Sequence, residues 1–188
     1  MSNNWKYISG TDWMMLLSKQ PRFEDKCDWS KLSGLDWAIL LTKQVRFADR
    51  CDWSKFGGRE WTYLLSECPQ FADKCDWGTL NGSQWLVLLR ARPEFADRCD
   101  FSTFSGADIV RLARQSGRRA MPQLARRFEE CDLNKLSASE WCGILALYPE
   151  LSSRFEESAH DFEKDIADAM ADDEDMVPAE EFFHEKGA

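Results

Sequence analysis

The sequence predicts an all-α chain: an α-solenoid of about six stacked short helical hairpins with a C-terminal capping helix. Three observations lead there. Cys27, Cys51, Cys75 and Cys99 stand 24 residues apart inside a recurring segment. A two-part helix-start signature returns six times, and behind each start the apolar residues follow helical spacing rather than the period of two that a strand needs.

The segments Cys27–Arg50, Cys51–Lys74 and Cys75–Arg98 are copies of one another. A partial copy begins at Trp5, and after Cys99 the next counterpart is Cys131, a step of 32 carrying a longer connection (SGRRAMP) and a longer second helix (QLARRFEE). The last copy runs to Ser158, where Ser takes the Cys place. Each copy opens with a capping box, an N-cap side chain serving the N3 backbone while the N3 side chain reaches back. The pairs are Ser9/Asp12, Ser33/Asp36, Gly57/Glu60, Asn81/Gln84, Ser105/Asp108 and Ser137/Glu140. Gly57 lacks the side-chain half. A hydrophobic staple accompanies each box, joining Ile8, Leu32, Phe56, Leu80, Phe104 or Leu136 to Trp13, Trp37, Trp61, Trp85, Ile109 or Trp141.

The first helix of each repeat should run about ten residues with its core stripe at N4, N7 and N8, as in Trp37, Leu40 and Leu41. Pro21, Val45, Pro69, Pro93, Pro122 or Pro149 then starts a shorter second helix. On it Phe47/Cys51, Phe71/Cys75 and Phe95/Cys99, four apart, are expected to share one face. The DWSK turn follows, its Asp capping downstream N–H groups and its Trp or Phe buried. Helices this short are marginal alone, so stacking must stabilise them. Phe155, Ala159, Phe162, Ile166 and Met170 form a helical stripe that continues the last helix as a cap. Residues 1–171 therefore read as the solenoid with its cap, and 172–188 as an acidic tail with a short amphipathic segment.

This CDW–SG–W layout resembles the short tandem α-helical repeats of bacterial solenoids of the CDWSK type. HEAT, armadillo and leucine-rich variant repeats are similar in layout only, over roughly Trp5 to Phe155. The resemblance implies a solenoid with a habit of binding other macromolecules, without saying which.

Composition narrows the function classes. The longest apolar runs are a few residues, too short to span a bilayer. The N-terminus MSNNWKYISG has no basic or apolar signal region, so no secretory signal is expected. Seven Cys, five at one repeat position, read as reduced, buried small hydrophobes rather than a disulfide framework or metal site, and a cytoplasmic location follows. The recurring Asp28, Asp52, Asp76, Asp100 and Asp132 read as turn caps. His160 and His184 lie in the tail without a nucleophile at motif spacing, and no phosphate loop or HExxH occurs. No catalytic residue, metal or cofactor is expected. The segment MADDEDMVPAEEF echoes a calcium loop, but Met170 at the first ligand place and Asp175 at the glycine place break it.

Recognition is expected on the side of the first helix away from the core, at N2, N6 and N9. N6 carries Met15, Ile39, Tyr63, Val87, Arg111 and Gly143; N2 carries Thr11, Leu35, Arg59, Ser83, Ala107 and Ser139; N9 carries Ser18, Thr42, Ser66, Arg90, Arg114 and Ala146. These vary while the frame repeats, and several are apolar. The alternative is that neighbouring repeats cover N6 as secondary core. Candidate partner-binding residues are Met15, Leu35, Ile39, Arg59, Tyr63, Val87, Arg90, Arg111 and Arg114.

Charge marks two further regions. Arg90 to Arg127 has a net charge of +5, from nine Arg against Glu94, Asp97, Asp100 and Asp108. It reads as a solvated mixed face or a dock for the chain's own acidic tail, and direct nucleic-acid binding is not expected because no aromatic motif interleaves it. From Glu156 onward the net charge is −11, against +2 before it. Asp172, Asp173, Glu174, Asp175, Phe182 and Phe183 are candidate tail-binding residues for a basic partner. The expected function is non-catalytic protein–protein interaction in a bacterial cytoplasm. The alternative is an inhibitor, such as an immunity protein, antitoxin or anti-defence factor, of a basic or nucleic-acid-processing enzyme.

Overall fold

In the computed structural model the described residues are 4–116, 124 and 127–157. Among them no strand occurs, and the architecture is an all-α solenoid of short helical repeats ending in a helical segment over 152–157. The α-helices are α1 (Gly10–Lys19), α2 (Gly34–Lys43), α3 (Gly58–Glu67), α4 (Gly82–Ala91), α5 (Gly106–Ser116) and α6 (Ala138–Leu145). Each begins where a capping signature stands. Two compact units are present, Met1–Leu136 with α1–α5 and Ser137–Ala188 with α6. In the first, each α-helix packs on the next along the chain.

Four of the six caps are full capping boxes, whereas at Ser9/Asp12 the Asp12 N–H donates to Ser9 Oγ at 3.2 Å and the Ser9 hydroxyl, not its N–H, returns to Asp12. The Asp36 N–H donates to Ser33 Oγ at 3.2 Å and the Ser33 N–H donates to Asp36 Oδ2 at 3.0 Å. Asn81/Gln84, Ser105/Asp108 and Ser137/Glu140 repeat the exchange. Gly57 has no side chain, so only its N–H reaches Glu60, at 3.1 Å. Each of the first four helices stops with a C-cap N–H bonded to the N7 carbonyl, as Gln44 does to Leu40 at 2.7 Å.

The second helices differ from expectation. Pro21–Lys26, Val45–Arg50, Pro69–Lys74 and Pro93–Arg98 are 3-10 rather than α. A six-residue segment closes more of its own hydrogen bonds with the tighter i→i+3 pattern. Each of these segments ends one residue before its cysteine, which is extended (Cys51 φ −70, ψ 129), so Phe47 and Cys51 do not share an α-helical face. The DWSK turns are single 3-10 turns. Asp28, Asp52, Asp76, Asp100 and Asp132 each accept the N–H two residues on.

One aromatic set in each of the first four repeats fills the space between α-helix and turn. Trp29 stacks on Trp37 with ring centroids 5.3 Å apart and an 11° interplanar angle, and Phe47 tilts against Trp29 at 5.3 Å. Trp5/Trp13/Phe23, Trp53/Trp61/Phe71 and Trp77/Trp85/Phe95 repeat the set. The N4 member is fully buried, while Trp29, Trp53 and Trp77 are only half-buried. Each ring pair contributes about 0.5–1.5 kcal/mol beyond its buried area.

The junction between repeats explains the glycine at N1. A Cβ on Gly10 would meet the Lys31 carbonyl, and one on Gly34 the Lys55 carbonyl. On Gly58 it would lie 2.5 Å from the Thr79 carbonyl, and on Gly82 2.6 Å from Asp108 Oδ2. The next repeat's turn and N3 side chain thus sit directly on the helix start, leaving no room for a methyl group. At α6 the position is Ala138, and it is exposed.

Polar side chains stitch the same junctions. Lys55 Nζ donates to the carbonyls of Ser30 (2.8 Å) and Leu32 (2.7 Å) in the preceding turn, and Lys31 does the same to Lys6 and Ile8. Gln44 Nε2 and Arg92 Nε reach back to the Ser18 and Ser66 carbonyls at 3.1 and 2.9 Å. Where Thr79 and Thr103 replace the lysine, the hydroxyl bonds Asp76 or Asp100 of its own turn instead.

Candidate interaction face

The outward positions of α1–α5 follow from the same helical geometry that buries N4, N7 and N8. With those three against the 3-10 segments, N2, N6 and N9 turn away, and the N10 residues Lys19, Lys43, Glu67 and Ala91 of α1–α4 are exposed beside them. Met15, Tyr63 and Val87 are 50%, 41% and 57% exposed, high for large apolar side chains, while Leu35 and Ile39 are half-buried. Neighbouring repeats therefore leave N6 open at α1, α3 and α4. In the second unit Gly143 is half-buried and Ser139 and Ala146 are exposed.

A groove of about 710 Å³ lies on this face across α2, α3 and α4. Six of its lining residues are outward positions: Leu35, Arg59, Tyr63, Ser66, Ser83 and Val87. Glu67 contributes the one carboxylate of the lining and Arg59 the one cation, and the rest is uncharged. Beyond the groove the character changes. Arg90 on α4 and Arg111 and Arg114 on α5 are exposed, so the face runs from apolar at α1–α2 to basic at α5.

The basic stretch that looks continuous in sequence divides in space. Arg92 donates to the Ser66 carbonyl; Arg98 lies 3.9 Å from Asp73 and over the Trp77 ring; Arg127 holds Asp97 at 3.1 Å and Glu130 at 2.8 Å. These are engaged in holding repeats together. Arg111 has only a 3.7 Å approach to Asp108, and no described side chain pairs with Arg90 or Arg114. Arg118, Arg119 and Arg126 lie outside the described residues, as do Asp172, Asp173, Glu174, Asp175, Phe182, Phe183, His160 and His184.

The repeated titratable residues are bound into the frame. Burial, aided by the neighbouring Asp or Glu, pushes the thiols of Cys27, Cys51, Cys75 and Cys131 up to about 12 and raises Cys99 as well, there aided first by Cys131. A thiol so shifted is a poor nucleophile at neutral pH. Asp28, Asp52 and Asp100 are held below the usual carboxylate range, chiefly by the hydroxyls of Ser30, Ser54 and Ser102. That is the electrostatics of a cap, which needs a charged acceptor, rather than of a proton donor. Among the described residues no group of three or more His, Cys, Asp or Glu could hold a metal ion, and no helix is long and apolar enough to cross a membrane. No family model, curated protein or solved structure matches the chain.

Proposed function

We propose that this chain is a protein-binding repeat module of a bacterial cytoplasm, working through the outward face of α1–α4 rather than by catalysis. One observation carries the reading: large apolar side chains are left in solvent on one face, at Met15 on α1 and at Tyr63 and Val87, which line a 710 Å³ groove. Exposed apolar residues gathered around a concavity are the usual mark of an interface. Their removal from solvent by a partner supplies the driving force, at about 25 cal/mol per Å² covered.

The test is affinity capture from extract of the native cell, followed by mass spectrometry, with wild type beside the double variant Tyr63→Asp/Val87→Asp. A partner retained by wild type and lost by the variant, at an unchanged melting temperature, is the expected result. A partner retained equally by both contradicts the assignment of this face.

A further inference from the structure

We infer that the groove takes an acidic segment of another protein: one large apolar anchor seated between Tyr63 and Val87, with carboxylates running on toward α5. The inference rests on the protein-binding reading and adds the chemistry of the partner.

The outward positions of α1–α5 are fifteen residues and include Arg59, Arg90, Arg111 and Arg114 but no Asp or Glu. The first 155 residues, with 20 acids among them, would place about two there by composition alone. The acids nearest this face, Asp36, Glu60 and Asp108 at N3, are turned into capping boxes. Glu67, the last residue of α3, is the exception and the one carboxylate in the groove lining.

The arginines divide in the same sense. On the 3-10 segments they are engaged: Arg46 with Glu24 at 2.6 Å, Arg98 with Asp73, Arg127 with Asp97, and Arg22 and Arg50 over aromatic rings. On the outward face Arg59, Arg90 and Arg114 have no partner among the described residues. Unpaired guanidinium groups beside an apolar groove suit a carboxylate ligand, which they bind in a bidentate fork.

Geometry sets the spacing. Val87 and Arg90 stand one turn apart on α4, and Arg111 and Arg114 hold the same places on α5. Neighbouring helices pack about 8–10 Å apart. An extended segment covers that distance in about three residues and a helical one in about six or seven. A phosphate backbone would also pair with arginine, but it offers nothing to Tyr63, Val87 and Leu35.

The experiment is a display selection of random 16-residue peptides on the immobilised full chain. Tyr63→Asp/Val87→Asp serves as the groove control and Arg90→Glu/Arg114→Glu as the charge-reversed arm, each first checked for wild-type circular dichroism and melting. Wild type should enrich acidic peptides carrying a Phe, Leu or Trp. Synthesised, these should bind at least tenfold more weakly to the charge-reversed protein and weaken with added salt, and a selection on that protein should yield basic peptides. Peptides of neutral or basic composition on wild type, or equal affinity for the charge-reversed protein, overturn the inference while leaving the groove reading intact. Tighter binding of a 20-nucleotide oligo-dT than of any selected peptide also overturns it. Absence of enrichment over the groove control removes both readings.

Discussion

The sides of an α-helix that meet neighbouring repeats and the side that faces water obey different rules in this molecule. At the junctions every position has a duty to backbone: N1 is glycine because a carbonyl or carboxylate sits on it, N3 closes a cap, and the turn lysine serves two carbonyls of the preceding repeat. On the outward face no side chain of α1–α5 is needed by the backbone of another repeat, and the residue changes from Met to Ile, Tyr, Val and Arg along N6. Repetition thus records where neighbours constrain a residue most, and variation where they constrain it least, although Ser83 Oγ still donates to Asp108 Oδ1 of the next repeat at 2.9 Å.

The largest effect should come from filling a junction. Gly34→Ala puts a methyl group on the Lys55 carbonyl and should destabilise the chain by about 1–3 kcal/mol, read by urea unfolding. The reverse change at exposed Ala138, where the helix start has no such neighbour among the described residues, should cost no more than about 1 kcal/mol. Equal costs at the two positions would show that helix propensity, not the neighbouring carbonyl, selects glycine.

A smaller effect separates stitched from unstitched junctions. Lys55→Ala strands the Ser30 and Leu32 carbonyls and should cost about 1 kcal/mol, whereas Thr79→Lys should leave stability unchanged or raise it by a similar amount. A loss on Thr79→Lys would mean that the threonine turn is a different structure and not a missing stitch.

The thiols give a kinetic version of the contrast. At pH 8 an aromatic disulfide reagent should modify exposed Cys142 quickly in the native chain, while Cys27, Cys51, Cys75 and Cys131, at about 12, stay protonated and react slowly. Fast modification of several thiols before unfolding would show that the frame cysteines are more open than their burial indicates.

Much of this fold is legible in the sequence because it is written in local chemistry. A capping residue, its N3 partner and a staple lie within five residues of one another, so Ser33, Asp36, Leu32 and Trp37 announce α2 without any knowledge of its neighbours. What cannot be read locally is what the next repeat does. The glycine of each SG pair looks like part of a turn until Lys55 or Thr79 is placed against it, and the DWSK lysine looks like a solvated charge until its carbonyls appear 23 to 25 residues back. The second helices start where the sequence indicates but are 3-10 for a related reason: Phe47 and Cys51 fit α spacing, but six residues do not sustain an α-helix. At the candidate face, helical geometry points to N2, N6 and N9, where Met15, Tyr63 and Val87 are exposed but Leu35, Ile39, Ser18, Thr42 and Ser66 are half-buried, whereas the run from Arg90 to Arg127 looks uniform. Only the packing separates Arg92, Arg98 and Arg127, which hold repeats together, from Arg90 and Arg114, which do not.

The comparison of junction with outward face rests on the outward residues being dispensable to the fold. Urea unfolding of Tyr63→Asp/Val87→Asp beside Gly34→Ala tests this most directly. The outward pair should stay within about 0.5 kcal/mol of wild type while the single methyl group at Gly34 costs several times more. If the outward pair loses as much stability as Gly34→Ala, those side chains belong to the frame, and the face they form is not free to recognise anything.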